Sequence, residues 1–427
     1  MNKEIKDSGI SWIENIPNEW NICRMKDVVY LYTGNSIKDE DKDSYTDKVD
    51  AYPYISTKDV DVIYHTINYD NGLYTKENDS LFKKADIGSS LVCIEGGSAG
   101  KKKAFVEQKV SFVNKLCCFA PKGIEGKYLF YYLCSPNFEI EFNKFVSGLI
   151  GGVSVSTLKN FTVILPPPLE QQKIADFLDT KCSEIDKLVS LQEKMIEELK
   201  AYKQSVITEA VTKGLNPNAP MKDSGIAWIG EIPEHWEVCF IKQVMRNKSI
   251  KGFPNEKVLS LYRDFGVVLK DSRDDNHNVT SEDTSSYKLV EIGDFVINKM
   301  KAWQGSMAVS DYRGIISPAY YICNFIGLNI NKKYIHYLLR NETYKVEYMR
   351  LSSGLRVGQW DLNIDDFLRI KMILPPIFEQ QQIADYLDKK CAEIDELVAV
   401  KQQKIETLKE YKKSLIYEYV TGKKEVI

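Results

Sequence analysis

From Ile185 onward, apolar positions return at alternating steps of three and four: Ile185, Leu188, Gln192, Met195, Leu199, Tyr202 and Val206. The same spacing recurs through Ile394, Leu397, Lys401, Lys404, Leu408, Tyr411 and Leu415, with Ile405 beside the weak position. Such a stripe predicts a coiled-coil seam, and the polar patch in its middle can fix register. Prolines 166 to 168 precede the first of these helices. A proline there costs little, because the first helical N–H has no intrahelical partner. Gly214 and Gly422 stand just past the predicted ends, where helices commonly terminate. Each helix is predicted to run about 43 residues, near 65 Å at about 1.5 Å per residue.

Elsewhere the pattern changes to short apolar runs rich in β-branched residues and bounded by Gly, Asp and Pro. Ser90 to Glu95 and Lys109 to Ala120 read as strands, as do Phe295 to Lys299 and Gly314 to Phe325. An aromatic-rich helical segment follows each set, Lys127 to Val146 and Lys332 to Leu351. These regions are predicted to be α+β.

The chain is also written twice. KDSGISWIENIPNEW from Lys6 returns as KDSGIAWIGEIPEHW from Lys222, with 10 of 15 positions identical. LPPPLEQQKIADFLDTKCSEIDKL from Leu165 returns as LPPIFEQQQIADYLDKKCAEIDEL from Leu374, with 17 of 24 identical. The stretches between, 21–164 and 237–373, show little obvious similarity. The organisation predicted is a first box and variable domain (1–164), a long helix (165–214), a second box and variable domain (215–373) and a second long helix (374–427). Short connections favour antiparallel helices packed seam to seam. The expected fold is two α+β domains at opposite ends of an antiparallel two-helix coiled-coil rod, related by a pseudo-two-fold axis.

Charge informs only after this division. The whole chain of 427 residues has a formal net charge of −3, which excludes coating nucleic acid by bulk charge. Residues 21–79 carry a net −5, whereas 80–164 and 240–373 each carry a net +5. Two basic regions on a near-neutral chassis are what contact with DNA phosphates at two separate places requires. Solvated lysine faces would give the same count. Neither a long apolar run nor the apolar core of a signal peptide is present, and nine cysteines include no C-x-x-C, so a cytoplasmic chain with reduced thiols is expected.

Candidate chemistry is sparse. Neither phosphate-cradling glycine signature occurs, and the four histidines have no metal-ligand spacing. Gly96-Gly97-Ser98-Ala99-Gly100 feeds Lys101, Lys102 and Lys103, which reads as a basic loop against a nucleic-acid backbone. Asn114, Lys115 and Ser147 join it. In the second variable domain Lys299, Lys301, Trp303 and Gln304 cluster, and Arg356, Gln359 and Trp360 follow Ser353-Gly354. Arg and Lys suit guanine, Asn and Gln suit adenine, and lysines mostly position phosphates. The two tryptophans fit a core equally well, and Asn114 fits a turn. Asp86 with Glu107 and Lys109 imitates the D…E-x-K order of Mg²⁺-dependent nucleases, yet the second copy has no counterpart. An endonuclease using those three residues and a coiled-coil scaffold that binds only proteins are the alternatives.

Box, variable domain and L-P-P-x-x-E-Q-x-x-I-A helix, twice in order, resemble the specificity subunit of type I restriction-modification systems along the whole chain. The resemblance implies a non-catalytic subunit whose variable domains read the two parts of a bipartite double-stranded DNA target. It implies that the helices dock two methyltransferase subunits, with restriction subunits completing the complex. S-adenosylmethionine, ATP and Mg²⁺ would then belong to those partners, and no cofactor to this chain. The recognised half-sites are expected about one DNA turn apart.

Overall fold

The computed structural model describes residues 4–146, 151–272, 283–354 and 360–426. They form two compact units: residues up to 193 with those from 402 onward, and residues 194–401. Each unit therefore takes a stretch of both long helices.

The first unit is built on an antiparallel sheet of β1 (Val29–Thr33), β2 (Ser90–Cys93), β3 (Lys103–Phe105) and β4 (Leu116–Pro121). Its order is β1-β4-β2-β3. All four residues of β2 and the first four of β4 are buried, which explains why they read as continuous apolar runs instead of alternating. A second sheet gathers Ala51–Ile55, Tyr74–Lys76, Lys84–Ala85 and Val110–Phe112. The run expected as one strand from Lys109 to Ala120 is thus two strands in different sheets, divided by a turn in which Leu116 N–H donates to Val113 O at 3.0 Å. Helix α1 (Gly126–Cys134) ends at Ser135, and Pro136–Phe145 starts a new helix with its proline in the first turn. Helix α2 (Pro168–Lys213) follows.

The second unit repeats this plan with β5 (Met245–Lys248), β6 (Phe295–Asn298), β7 (Met307–Val309) and β8 (Tyr320–Phe325). Its order, β5-β8-β6-β7, matches the first strand for strand. The run from Gly314 also divides, into Gly314–Ile316 and β8. Helix α3 (Lys332–Arg340) stops at Asn341, whose side chain caps the next helix, Glu342–Leu351, by accepting from Thr343 N–H at 2.9 Å. Helix α4 (Ile377–Val420) closes the repeat. Duplication therefore reaches into stretches where sequence similarity is not visible. Buried apolar runs specify strands whatever their individual residues.

In the first unit the Phe177 and Tyr419 rings lie 4.4 Å apart, and Lys412 Nζ reaches both oxygens of Asp186 at 2.7 Å. In the second, Lys203 Nζ reaches those of Asp395 at 2.7 and 2.6 Å, and Lys401 Nζ lies 3.5 Å from Met195 Sδ. In both units, residue numbers on one helix rise as those on its partner fall. Within each unit the two helix stretches are antiparallel.

The buried stripe corrects half of the expected seam. Ile185, Val206, Ile394 and Leu415 are buried, and Leu199 and Leu408 half-buried. Leu188, Tyr202, Leu397 and Tyr411 are 46%, 51%, 50% and 55% exposed. The inner row runs instead through Cys182, Ile185, Val189 and Gln192 in the first unit and Ile196, Leu199, Lys203 and Val206 in the second. Both registers satisfy three-four spacing. The choice falls where a lysine can bury its aliphatic stem and still bring its ammonium to an aspartate.

Candidate nucleic-acid interface

The two repeated motifs meet at one joint. Trp20 Nε1–H donates to Glu170 Oε2 at 2.9 Å, and Trp236 Nε1–H to Glu379 Oε2 at 2.7 Å. The next residue in each helix, Gln171 or Gln380, donates to the carbonyl of Pro166 or Pro375 at 2.8 Å. Its side-chain oxygen accepts the backbone N–H of Glu125 at 2.8 Å or Asn331 at 2.9 Å, the N-caps of α1 and α3. About two turns further along, Asp179 accepts from Lys127 and Tyr131, and Asp388 from Lys333 and Tyr337. The identical residues thus fasten each sheet domain to the start of its long helix.

Each joint also receives the end of the other repeat's helix. Tyr128 Oη–H lies 2.9 Å from Ile164 O and 3.2 Å from Val420 O, while Tyr334 Oη–H reaches Val211 O at 3.2 Å. Gly422 and Gly214 take left-handed backbone, φ 70° and 76°, against Trp20 and Trp236. A Cβ at Gly422 would stand 2.5 Å from Pro17 and 3.1 Å from Trp20. Glycine serves there for both conformation and space.

On this common frame the lysine loop of the first unit and the Lys299–Gln304 turn of the second occupy one topological place, the β2–β3 connection and its β6–β7 counterpart. In the first unit Lys101 is exposed, and half-buried Lys102 donates to Thr57 O at 2.6 Å. Lys103 is a correction. It is 1% exposed, its ammonium lies 3.2 Å from Glu139 Oε1 and 5.3 Å from the Phe138 ring centroid, and it is an internal ion pair without access to a phosphate. Exposed Asn114 accepts from Ser36 Oγ at 2.8 Å. Lys115 is exposed beside the glycine-rich loop, its carbonyl accepting from Ile94 N–H at 3.0 Å. Ser147 lies outside the described residues.

In the second unit the connection is a short 3-10 helix, Lys299–Gln304, capped by Asn298 and ended by Gly305 at φ 77°. Lys299 Nζ sits 4.6 Å from the centroid of the Tyr321 ring. Lys301 is exposed and Gln304 half-buried. Trp303 donates to Met300 O at 3.1 Å, and its ring centroid lies 5.2 Å from that of Trp360, tilted 57°. Leu362 N–H donates to Lys299 O at 3.2 Å, which brings the Trp360 segment alongside. Both tryptophans are half-buried, intermediate between core and open surface. Arg356 and Gln359 lie outside the described residues.

The nuclease pattern does not assemble a metal centre. Asp86 pairs with Lys109 at 2.9 Å, and the backbone N–H of Glu107 donates to the Tyr69 hydroxyl at 3.0 Å. Among the described residues, no group of three or more His, Cys, Asp or Glu side chains is placed to hold a metal ion.

Residues 17–201 and again 233–410 match the family described as type I restriction modification DNA specificity domain. The chain belongs to that family. It carries two specificity domains, and it is a recognition subunit, not a catalyst. It is 26% identical over 435 residues to the type I restriction enzyme MjaVIII specificity subunit of Methanocaldococcus jannaschii, covering 96% of this chain and 93% of that one. Similarity to the putative MjaX specificity subunit of the same organism is also 26%, over 438 residues, 96% of this chain and 95% of that one. A solved chain of a type I R-M system shares the fold with a TM-score of 0.70 at 15% identity, over 95% of this chain and 98% of that one. The HsdS subunit from Thermoanaerobacter tengcongensis gives 0.52 at 17% identity, over 95% and 98%. Among the described residues, no helix of either specificity domain is long and apolar enough to cross a membrane.

Sequence reasoning missed Lys251, Lys288 and Tyr321 in the second specificity domain. Lys288 stands inside a strand of buried residues, Lys288–Val290, and donates to Tyr320 O at 2.7 Å. No local pattern distinguishes such a lysine from one on a solvated strand face.

Proposed function

We propose that the two specificity domains read separate parts of one bipartite double-stranded DNA target, and that the long helices hold them apart as an antiparallel rod. The observation that supports this is a shared frame with unlike surfaces. Strand order and the tryptophan–glutamate joint are the same in both domains, whereas one β-β connection is a glycine-rich lysine loop and the other a capped turn beside two tryptophans. Selection for two different half-sites on one scaffold gives this combination. Helices of 46 and 44 residues span roughly 65–70 Å. In this reading Lys101, Lys102, Lys115, Lys299 and Lys301 position phosphates. Asn114, Gln304, Trp303 and Trp360 face bases, joined by Ser147, Arg356 and Gln359.

The exposed members of the expected seam, together with Leu191 and Val400, support a partner surface. Leu188, Leu191 and Tyr202 are exposed in one repeat, and their counterparts Leu397, Val400 and Tyr411 in the other. An apolar face kept twice fits two copies of one partner. That partner is the methyltransferase subunit, with restriction subunits joining through it in the cytoplasm. S-adenosylmethionine, ATP and Mg²⁺ serve those chains.

Co-expression of this chain with its methyltransferase tests the reading. Sequence-selective, salt-sensitive DNA binding should appear only when this chain is present. Equal selectivity from the methyltransferase alone would overturn it.

A further inference from the structure

In the second specificity domain two lysines meet at one aromatic ring, and Lys251 comes alongside them where Ile250 O accepts from Leu289 N–H at 2.8 Å. Lys299 Nζ lies 4.6 Å from the Tyr321 ring centroid and Lys288 Nζ 5.7 Å from it. Lys288 is nearly buried, and its single hydrogen bond among the described residues goes to the neutral carbonyl of Tyr320. Burial first, and then Lys299 and Lys251, pull its ammonium below the ordinary lysine range, so Lys251 belongs to the same electrostatic group. Among the described residues none of the three takes part in an ion pair. Nearby Lys248 shows the alternative, its ammonium 2.5 Å from the buried carboxylate of Asp294. Burial first, and then Asp361 and Asp365, raise the Tyr321 hydroxyl, yet neither carboxylate pairs with these lysines among the described residues. Like charges gathered without a paired carboxylate raise one another's energy, and an anion placed among them lowers it. The tyrosine face offsets part of that repulsion.

Lys299 opens the turn that carries Trp303, and the Trp303–Trp360 pair stands at its other end. Phosphate chemistry and aromatic faces are thereby set a few residues apart on one short element.

We propose that Lys288 and Lys299 at the Tyr321 ring, with Lys251 on the segment paired beside Lys288, form a seat for one backbone phosphate of the DNA bound by the second specificity domain. The proposal rests on the DNA-reading function above and adds residues and a role to it. The seat positions the duplex without reading sequence, and it sets the register at which the Trp303–Trp360 pair meets the bases.

Binding of the full-length chain to mixed-sequence duplexes, titrated with salt, tests the seat. Lys288→Gln/Lys299→Gln should weaken binding to every duplex alike. It should also lower the slope of log K against log[salt] by about 0.9, the value of one lost phosphate contact. Lys288→Arg keeps the charge and should keep the slope. Lys251→Gln, at an exposed position, should weaken binding with an unchanged unfolding midpoint, which separates lost contact from lost fold. If the wild-type chain binds with a steep salt slope and both glutamine variants retain it, the seat is wrong while DNA reading stands. A wild-type chain with no salt-dependent binding would overturn both.

Discussion

The indole N–H of Trp236 donates to Oε2 of Glu379 at 2.7 Å, tying the box of the second repeat to the first turn of its long helix. The same carboxylate lies 2.6 Å from His235 Nε2 through its other oxygen. Trp20 and Glu170 repeat the bond at 2.9 Å, with Glu19 in the place of the histidine. Conservation between the two halves thus follows a mechanical joint. Glu379→Ala would leave the buried indole without its acceptor and cost about 1–3 kcal/mol. Glu379→Gln keeps an acceptor and should cost less. Urea unfolding followed by tryptophan fluorescence checks this, and an unchanged midpoint in the alanine variant would contradict it.

The buried row, not the exposed one, holds the helices together. Ile196→Ala or Ile405→Ala should cost about 2–5 kcal/mol, as for other buried isoleucines. Leu188→Ala and Leu397→Ala, at half-exposed positions, should cost under about 1 kcal/mol. Thermal unfolding of the four variants gives the ranking, and equal losses would mean that the seam has been misassigned.

Much of this was legible beforehand. The helices, their glycine ends and the duplication follow from spacing and identity, because helix periodicity and repeated residues are local. The seam was half legible: Leu188 and Val189 both fit, and only the ion pairs of Lys203 with Asp395 and Lys412 with Asp186 decide between rows. Strand order was not legible, since pairing of β4 with β1 and β2 joins residues far apart in sequence. Lys103 misled for a similar reason. Three consecutive lysines look alike in sequence, and Glu139 on a later helix draws one of them inside.

Exposed leucines on the helices should matter for assembly instead of stability. Leu188→Asp should remove one methyltransferase copy and Leu397→Asp the other, each leaving the chain folded. Light scattering of the purified complex reads the stoichiometry, and two copies retained in the double variant would exclude this face.

Acid should destabilise the chain through two histidines. Burial, and next the Arg340 guanidinium, holds His336 down at about 3, while burial, then Lys103 and Lys412, holds His65 at about 4. Unfolded histidine titrates near about 6.5. Both folded values are depressed, so their contribution is whole above about pH 6.5. It falls by about 1.4 kcal/mol per pH unit per histidine as the pH drops toward the folded values. Unfolding midpoints between pH 7 and 5 should show this slope, and His336→Gln should flatten it. A variant as acid-sensitive as the wild type would exclude His336.

In the proposed reading, two domains on one frame each take one part of one DNA target. Genome-wide methylation mapping tests it most directly, comparing cells without this chain, with it, and with a chain whose residues 21–164 come from a relative. A bipartite modified sequence that requires the chain is expected, with one half changed and the other half and spacing kept in the exchanged version. The same modified sites in all three would contradict it.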